Sequence, residues 1–432
     1  MTDFVERHLI EMREGGTLVV LRKTFTLLKL VRMSLVNIPM FLFGILCVLL
    51  VRMLRPLKLI RFGMLYGYRI GLAANIEVYL CERDAGLHGH KSLDIWFPQT
   101  SIANHQLHKM WCRILHVYSF AEWLDKANRF IPGGAKHCLP LRRTQDRDVH
   151  GLLDKTEPHL SFCVKEKQRG KTALRDLCIP DGASYICVHA RDSAYLDDVH
   201  SYRDRGQWSH HDYRDSSIDN YIPAMREMVK RGYYVFRVGH KVREPIRDDN
   251  TRIVGCNVID YATNGMRSSF LDIYLNANCR FFVGNTAGIF TIPEIFRRPI
   301  AFSNVAPLEY MSTSNKKDLV IPKKYWLVRE KRFMKFREIY DSGAGYILRG
   351  DQFERSGIEL IENSPEEITH LLVEMEERIN GTWQTTEEDE ALQKRFWDSF
   401  PKDRVVKNGE KLHGQIRTRI GTMFLRNNVE CL

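Results

Sequence analysis

The sequence predicts an α/β protein built on two parallel sheets, and three observations carry that prediction. Short apolar runs alternate with segments of helical period through residues 58–120, and again through residues 184–304. Glycine-rich turns stand where a strand passes into a helix. The composition, 44% hydrophobic and 27% charged over 432 residues, is that of a chain with a large buried core.

Each element follows from its residues. In the first half, KLIRFG (58–63) is a strand and MLYGYRIG (64–71) a glycine-rich loop. A helix over 72–86 stops at Gly86. SLDIWF (92–97) is the next strand, followed by a helix near 103–115 and a strand near 116–120. Residues 140–180 are charged and turn-rich, and the link to the second half falls there. That half opens with the strand SYICVHA (184–190), then a polar loop to about 216, a helix over 218–232 and the strand YYVFRVG (233–239). A helix over 268–279 follows with Ser268 or Ser269 at its N-cap. The strand RFFVG (280–284), the tight loop NTAG (285–288), a helix over 289–298 and the strand PIAFSN (299–304) complete the pattern. Two Rossmann-type domains, 58–175 and 176–310, facing a cleft are expected, with ligands at the carboxyl ends of the strands. The tail, 311–432, reads as mostly helical. Ser364, Pro365 and Glu367 form a capping-box start there, Gly381 a stop, and 414–428 a basic amphipathic helix.

Residues 1–57 have a different character. Residues 33–51 carry no charge, and Arg22, Lys23, Lys29 and Arg32 precede them while Arg52, Arg55, Lys58 and Arg61 follow. The run is near the ~20 residues that span a bilayer. With Asn37 and Pro39 in its first half, it equally fits a helix lying on the membrane. Residues 17–32 read as a basic amphipathic helix at the lipid interface. The net charge of +11 is therefore assigned to membrane contact. No nucleic-acid motif accompanies it, and no nucleic-acid partner is expected. Ten cysteines stand singly without C-x-x-C spacing, which excludes zinc-ribbon and redox motifs and suits a reducing compartment.

Four constellations carry chemistry. His189 and Arg191 share one face at the end of a strand, with Asp192 beside them; a guanidinium fork there matches phosphate oxygens. Gly284-Asn285-Thr286-Ala287-Gly288 offers backbone N–H groups, the Thr286 hydroxyl and close approach at Gly288 to an anion. Ser268, Ser269 and Asp272, one strand earlier, are further donor-side candidates, the serines for phosphate and Asp272 for a ribose or base. Tyr68, Arg69 and Asn75, on and just beyond the Gly67–Gly71 loop, are candidates for binding an acceptor from the first half. A base that removes an acceptor proton is sought among Glu77, Asp84, Asp192 and His105. No Asp-x-Asp stands at a strand end, so no metal or other cofactor is expected.

The runs FGMLYGYRIGLAANIEVYLCERDAG, ICVHARDSAYL, FFVGNTAGIFTIPEIFRRPIAFSNVAPL and DLVIPKKYW resemble a family of bacterial glycosyltransferases associated with surface polysaccharides. More remotely, His-x-Arg after a strand, and the spacing Asp272, Leu275, Cys279, Phe282, Gly284, Gly288, are similar to the fucosyltransferase superfamily. The resemblance implies a GT-B fold and a nucleotide-sugar donor. It implies diphosphate contact for Arg191, further phosphate contacts for Asn285 and Thr286, and a nucleoside-side position for Asp272. Asn285 departs from the serine or threonine frequent after the glycine, so GDP-fucose is not implied. The expected partners are a nucleotide sugar, a lipid-linked or surface-glycan acceptor and, through the N-terminal helices, the cytoplasmic face of the cell membrane. Transfer of another group, such as pyruvyl, and binding without turnover are the alternative readings.

Overall fold

The structure is a computed structural model that describes Phe25 and residues 38–54, 58–89, 92–142, 144–194, 209–246, 257–406 and 409–432. The helix expected over 17–32 lies outside these residues apart from Phe25. Two compact units emerge. The smaller comprises residues up to Leu65, Gly89–Pro98 and Leu115–Pro140; the larger comprises Tyr66–His88, Gln99–Ile114 and Leu141–Leu432.

In the smaller unit, β1 (Leu59–Leu65), β2 (Ser92–Pro98) and β3 (His116–Val117) form a parallel sheet in that order, with Leu59 opposite Ser92 and Ile95 opposite His116. Its core is Phe62, Phe97 and Ala121, joined by Val51, Ile60, Met64, Ile95 and Leu124. Arg61 reaches Asp94 through Nε at 2.8 Å, so a buried cation on one strand meets a carboxylate on the next. Residues 38–53 are helical. Among the described residues no helix is long and apolar enough to cross a membrane. Residues 33–37 of the run expected to span or lie on the membrane are outside the described residues; within 38–53 Val48 is fully buried, so one side of the helix packs as core.

The larger unit is built on a seven-stranded sheet, ordered β13-β9-β8-β7-β4-β5-β6 and parallel at every pair. Its strands are β4 (Tyr185–His189), β5 (Tyr234–Arg237), β6 (Val258–Asp260), β7 (Phe282–Gly284), β8 (Ile300–Val305), β9 (Leu319–Pro322) and β13 (Arg419–Ile420). Every residue of β7, β8 and β9 is buried, as befits a sheet covered on both faces. The helices of the sequence pattern are present as Ala73–Asp84, His105–Ile114, Ile222–Lys230 and Ser269–Asn278. Ser268 caps the last of these, its Oγ accepting from Leu271 N at 3.2 Å.

The tail departs from the helical expectation. Helices Pro365–Asn380 and Glu387–Ser399 form where expected, and Ser364 and Glu367 make the reciprocal capping box. Yet the tail also supplies β9 and β13 to the main sheet. A separate antiparallel sheet, ordered β11 (Arg332–Phe333), β10 (Lys324–Leu327), β12 (Ile358–Ile361), is built from the tail as well. The helix expected over 414–428 is only Thr422–Asn427. Its first turns are lost because Arg419 and Ile420 pair with Leu319 and Val320, and Gln393 Oε1 accepts from Ile420 N at 3.1 Å.

Candidate functional site at the sheet switch point

The chain enters the seven-stranded sheet at its middle. From β4 it proceeds outward through β5 and β6, then returns to the other side of β4 as β7, β8 and β9. Loops leaving β4 and β7 thus diverge to opposite sides, and the crevice between them is where open parallel sheets bind ligands. His189 ends β4 directly opposite Gly284, which ends β7. Two motifs 95 positions apart in sequence are register partners at the switch point.

One side chain fastens the two loops. Asn285 is fully buried; its Oδ1 accepts from Arg191 N at 3.1 Å, and its Nδ2 donates to Arg214 O at 2.7 Å and Ser216 Oγ at 3.2 Å. The amide expected to touch phosphate is instead spent on three protein contacts, so Asn285 positions Arg191. Thr286 Oγ1 donates to Ala306 O at 3.2 Å. The backbone at Gly288 approaches Gly71 so closely that a Cβ on Gly71 would stand 3.1 Å from Gly288 Cα. The loop Gly67–Gly71, expected to face the site from the other half, thus belongs to the larger unit and delivers Arg69 to it.

Cations converge here. Arg191 is ion-paired with Asp215, whose backbone oxygen accepts from Lys323 Nζ at 2.6 Å. Burial, reinforced by Arg214, pushes the Arg191 guanidinium down to about 10. Burial and Arg69 lower Arg214, and burial with Arg191 nearby brings Lys323 to about 8. His211 is held at about 3 by burial and by Arg214, His210, Arg191 and Arg69, so it is neutral. Burial with Arg237 nearby holds His189 at about 4; its Nδ1 lies 2.9 Å from Val238 O, a contact only an N–H makes, so the neutral ring carries its proton on Nδ1. Like charges gathered out of water favour a ligand of opposite sign.

Sequence reasoning missed Arg214, Asp215, His211 and Lys323. The first three lie in a stretch without hydrophobic periodicity, His211 and Arg214 within the short 3-10 helix Ser209–Arg214 and Asp215 just after it. Lys323 follows β9, a strand that went unrecognised although DLVIPKKYW stood out as a motif.

The other candidates sit elsewhere in the hydrogen-bond network. Asp192 accepts from Ala194 N and Arg243 N, both at 3.0 Å. Asp272 accepts from Tyr261 Oη at 3.0 Å and Arg267 Nη1 at 2.7 Å. Ser269 O accepts from Asn104 Nδ2 at 3.0 Å, and the Tyr68 ring lies 5.3 Å from the Arg69 guanidinium carbon. Asn75 is half-buried on the helix Ala73–Asp84. Glu77 is fully buried; Arg297 Nη2 donates to its Oε1 at 2.6 Å, and His159 Nδ1 stands 3.1 Å away. Asp84 faces His159 Nε2 at 3.0 Å. Among the described residues Glu77, Cys81 and His159 are the one group whose ligand atoms lie close enough to hold a metal, within 4.8 Å of one another. Arg297 already fills the place of a cation there, 3.5 Å from Cys81 Sγ.

No protein-family model matches the chain, and no curated protein matches it. Among solved structures it is similar to a glycosyl transferase family 9 protein from Veillonella parvula DSM 2008, at 9% identity and a TM-score of 0.36, over 57% of this chain and 80% of that one. It is similar to E. coli ADP-heptose LPS heptosyltransferase II at 10% identity and a TM-score of 0.34, over 57% and 86%. A Listeria monocytogenes protein described as a UDP-N-acetylglucosamine 2-epimerase follows at 7% identity and a TM-score of 0.28, over 76% and 98%.

Proposed function

We propose that the chain is a glycosyltransferase that binds the diphosphate of a nucleotide sugar at the switch point of the seven-stranded sheet. The observation that carries this reading is the gathering of Arg191, Arg214, Arg69 and Lys323 around the carboxyl ends of β4 and β7, with the guanidinium of Arg191 and the ammonium of Lys323 pushed below their ordinary values. Transfer breaks the bond between the anomeric carbon and the donor phosphate oxygen, and the electron pair leaves on the nucleoside diphosphate. An acceptor hydroxyl oxygen forms the new bond to that carbon, and its proton passes to the departing diphosphate. Arg191 meets the charge growing on the leaving diphosphate, which lowers the barrier more than it stabilises the bound donor. Side-chain cations fill the role a divalent ion plays elsewhere, so the reaction is proposed to be metal-independent. Ser268 and Ser269 remain proposed for phosphate and Asp272 for the nucleoside side, and the acceptor is proposed to be a lipid-linked or surface glycan at the cytoplasmic face of the cell membrane.

Release of free nucleotide from a panel of GDP-, UDP-, ADP- and CMP-sugars tests the reading, with the Arg191→Ala variant alongside. Turnover of one donor, reduced at least about tenfold in the variant, supports transfer. Tight binding of a nucleotide without any turnover, with or without glycan acceptors, would favour a binding protein instead.

A further inference from the structure

We infer that the smaller unit docks on an anionic lipid bilayer through one face of the helix 38–53, lying along the membrane surface without crossing it. The inner face of this helix is committed to protein. Val48 is fully buried, and a Cβ on Gly44 would stand 3.3 Å from Ala127 Cβ. Arg52, the single charge in the helix, turns inward: Nη1 donates to Pro132 O at 2.7 Å, and Nη2 to Asn128 Oδ1 at 2.9 Å and Ile131 O at 3.2 Å. The outer face is the reverse. Leu42, Phe43, Leu46, Leu49, Leu50 and Met53 fall within about a third of the helical circumference and are between 45% and 76% exposed. Phe130, 73% exposed, extends this surface beside Phe41, with ring centroids 5.5 Å apart.

An apolar strip of this size marks an interaction surface, and the surrounding charge selects the occupant. Between Glu14 and Glu77 the sequence has no acidic residue, whereas Arg22, Lys23, Lys29, Arg32, Arg55 and Lys58 flank the helix. An apolar helix whose flanking sequence is rich in cations and free of carboxylates matches an acyl layer beneath anionic headgroups. The outer strip also lacks any hydrogen-bonding side chain with which to orient a protein partner. A helix packed on the helix Ala121–Phe130 at Gly44 cannot cross a bilayer without carrying Glu122, Asp125, Lys126 and Arg129 into it.

The full-length protein should float with vesicles of phosphatidylcholine containing a quarter phosphatidylglycerol, and less with phosphatidylcholine alone. The double variant Leu46→Asp, Leu50→Asp should partition at least about tenfold less. Its melting temperature and its response to nucleotide should match the wild type, because both substitutions face outward. Three results would overturn the inference. The wild type fails to float with anionic vesicles; the double variant floats as well as the wild type, placing the contact elsewhere in the chain; or light scattering shows a dimer that ignores vesicles and dissociates in the variant, making the strip an interface between copies.

Discussion

Two clusters in the larger unit set arginine against carboxylate, and their cations are pushed in opposite directions. Around Glu77, Arg297 and His159, burial opposes the charge on the imidazole, yet hydrogen bonds to Cys81, Glu77 and Asp84 lift it to about 10. At the switch point, burial lowers Arg191, Arg214 and Lys323, and their own neighbouring cations push the same way. The first cluster has its counter-charges built in and holds structure together: Arg297 binds Thr156, Glu77 and Ile295 at once. The second gives Arg191 the carboxylate of Asp215 and gathers Arg214, Arg69 and Lys323 beside that pair. Residue type marked Glu77 and Arg191 alike as catalytic candidates; the direction of the field separates them.

The largest effect expected of breaking this contrast is on stability. Glu77→Ala strands Arg297 and His159 in a buried place and should cost about 3–5 kcal/mol in urea unfolding. A change within about 0.5 kcal/mol would mean the network is not structural. Asn285→Ala comes next: it removes three contacts that join the β4 and β7 loops, and should cost about 1–3 kcal/mol while weakening nucleotide binding. Rescue of binding by Asn285→Ser would argue that the residue touches phosphate directly, as the sequence resemblance implied.

The smallest effect is one of pH. His159 has a folded value of about 10 against an ordinary 6.5, so its contribution is complete below pH 6.5 and is lost as pH rises through about 10. Wild type should therefore lose about 1–2 kcal/mol relative to His159→Gln across that window, less than the full shift because the Asp84 side of the pair is exposed to solvent. Parallel stability curves for the two proteins from pH 6.5 to 10 would remove His159 from the network.

Much of this was legible in the sequence wherever information is local. Four strands of residues 184–304 announced themselves as apolar runs closed by turn residues, and β4, β5, β7 and β8 formed where those runs stood; the three-residue β6 gave no such signal. Ser364 and Glu367 declared their capping box by spacing alone. Arg191 stood out because a strand end and an arginine are both local features. What failed was long-range. Arg419 and Ile420 read as helix, and only pairing with Leu319 and Val320 makes them strand. Asn285 has the chemistry of a phosphate ligand, yet its amide is consumed by partners 69 to 94 positions away in the chain. Lys323 and Asp215 meet across 108 positions, a contact that no window of sequence contains.

The most direct test of the central claim is calorimetric titration of wild type, Arg191→Ala and Glu77→Gln with GDP, UDP, ADP, CDP and CMP. Nucleotide binding in the wild type, weakened at least about tenfold in Arg191→Ala and retained in folded Glu77→Gln, is the expected result. Equal affinity in wild type and a folded Arg191→Ala, or no nucleotide binding to a folded wild type, would contradict the assignment of the switch point as the donor site.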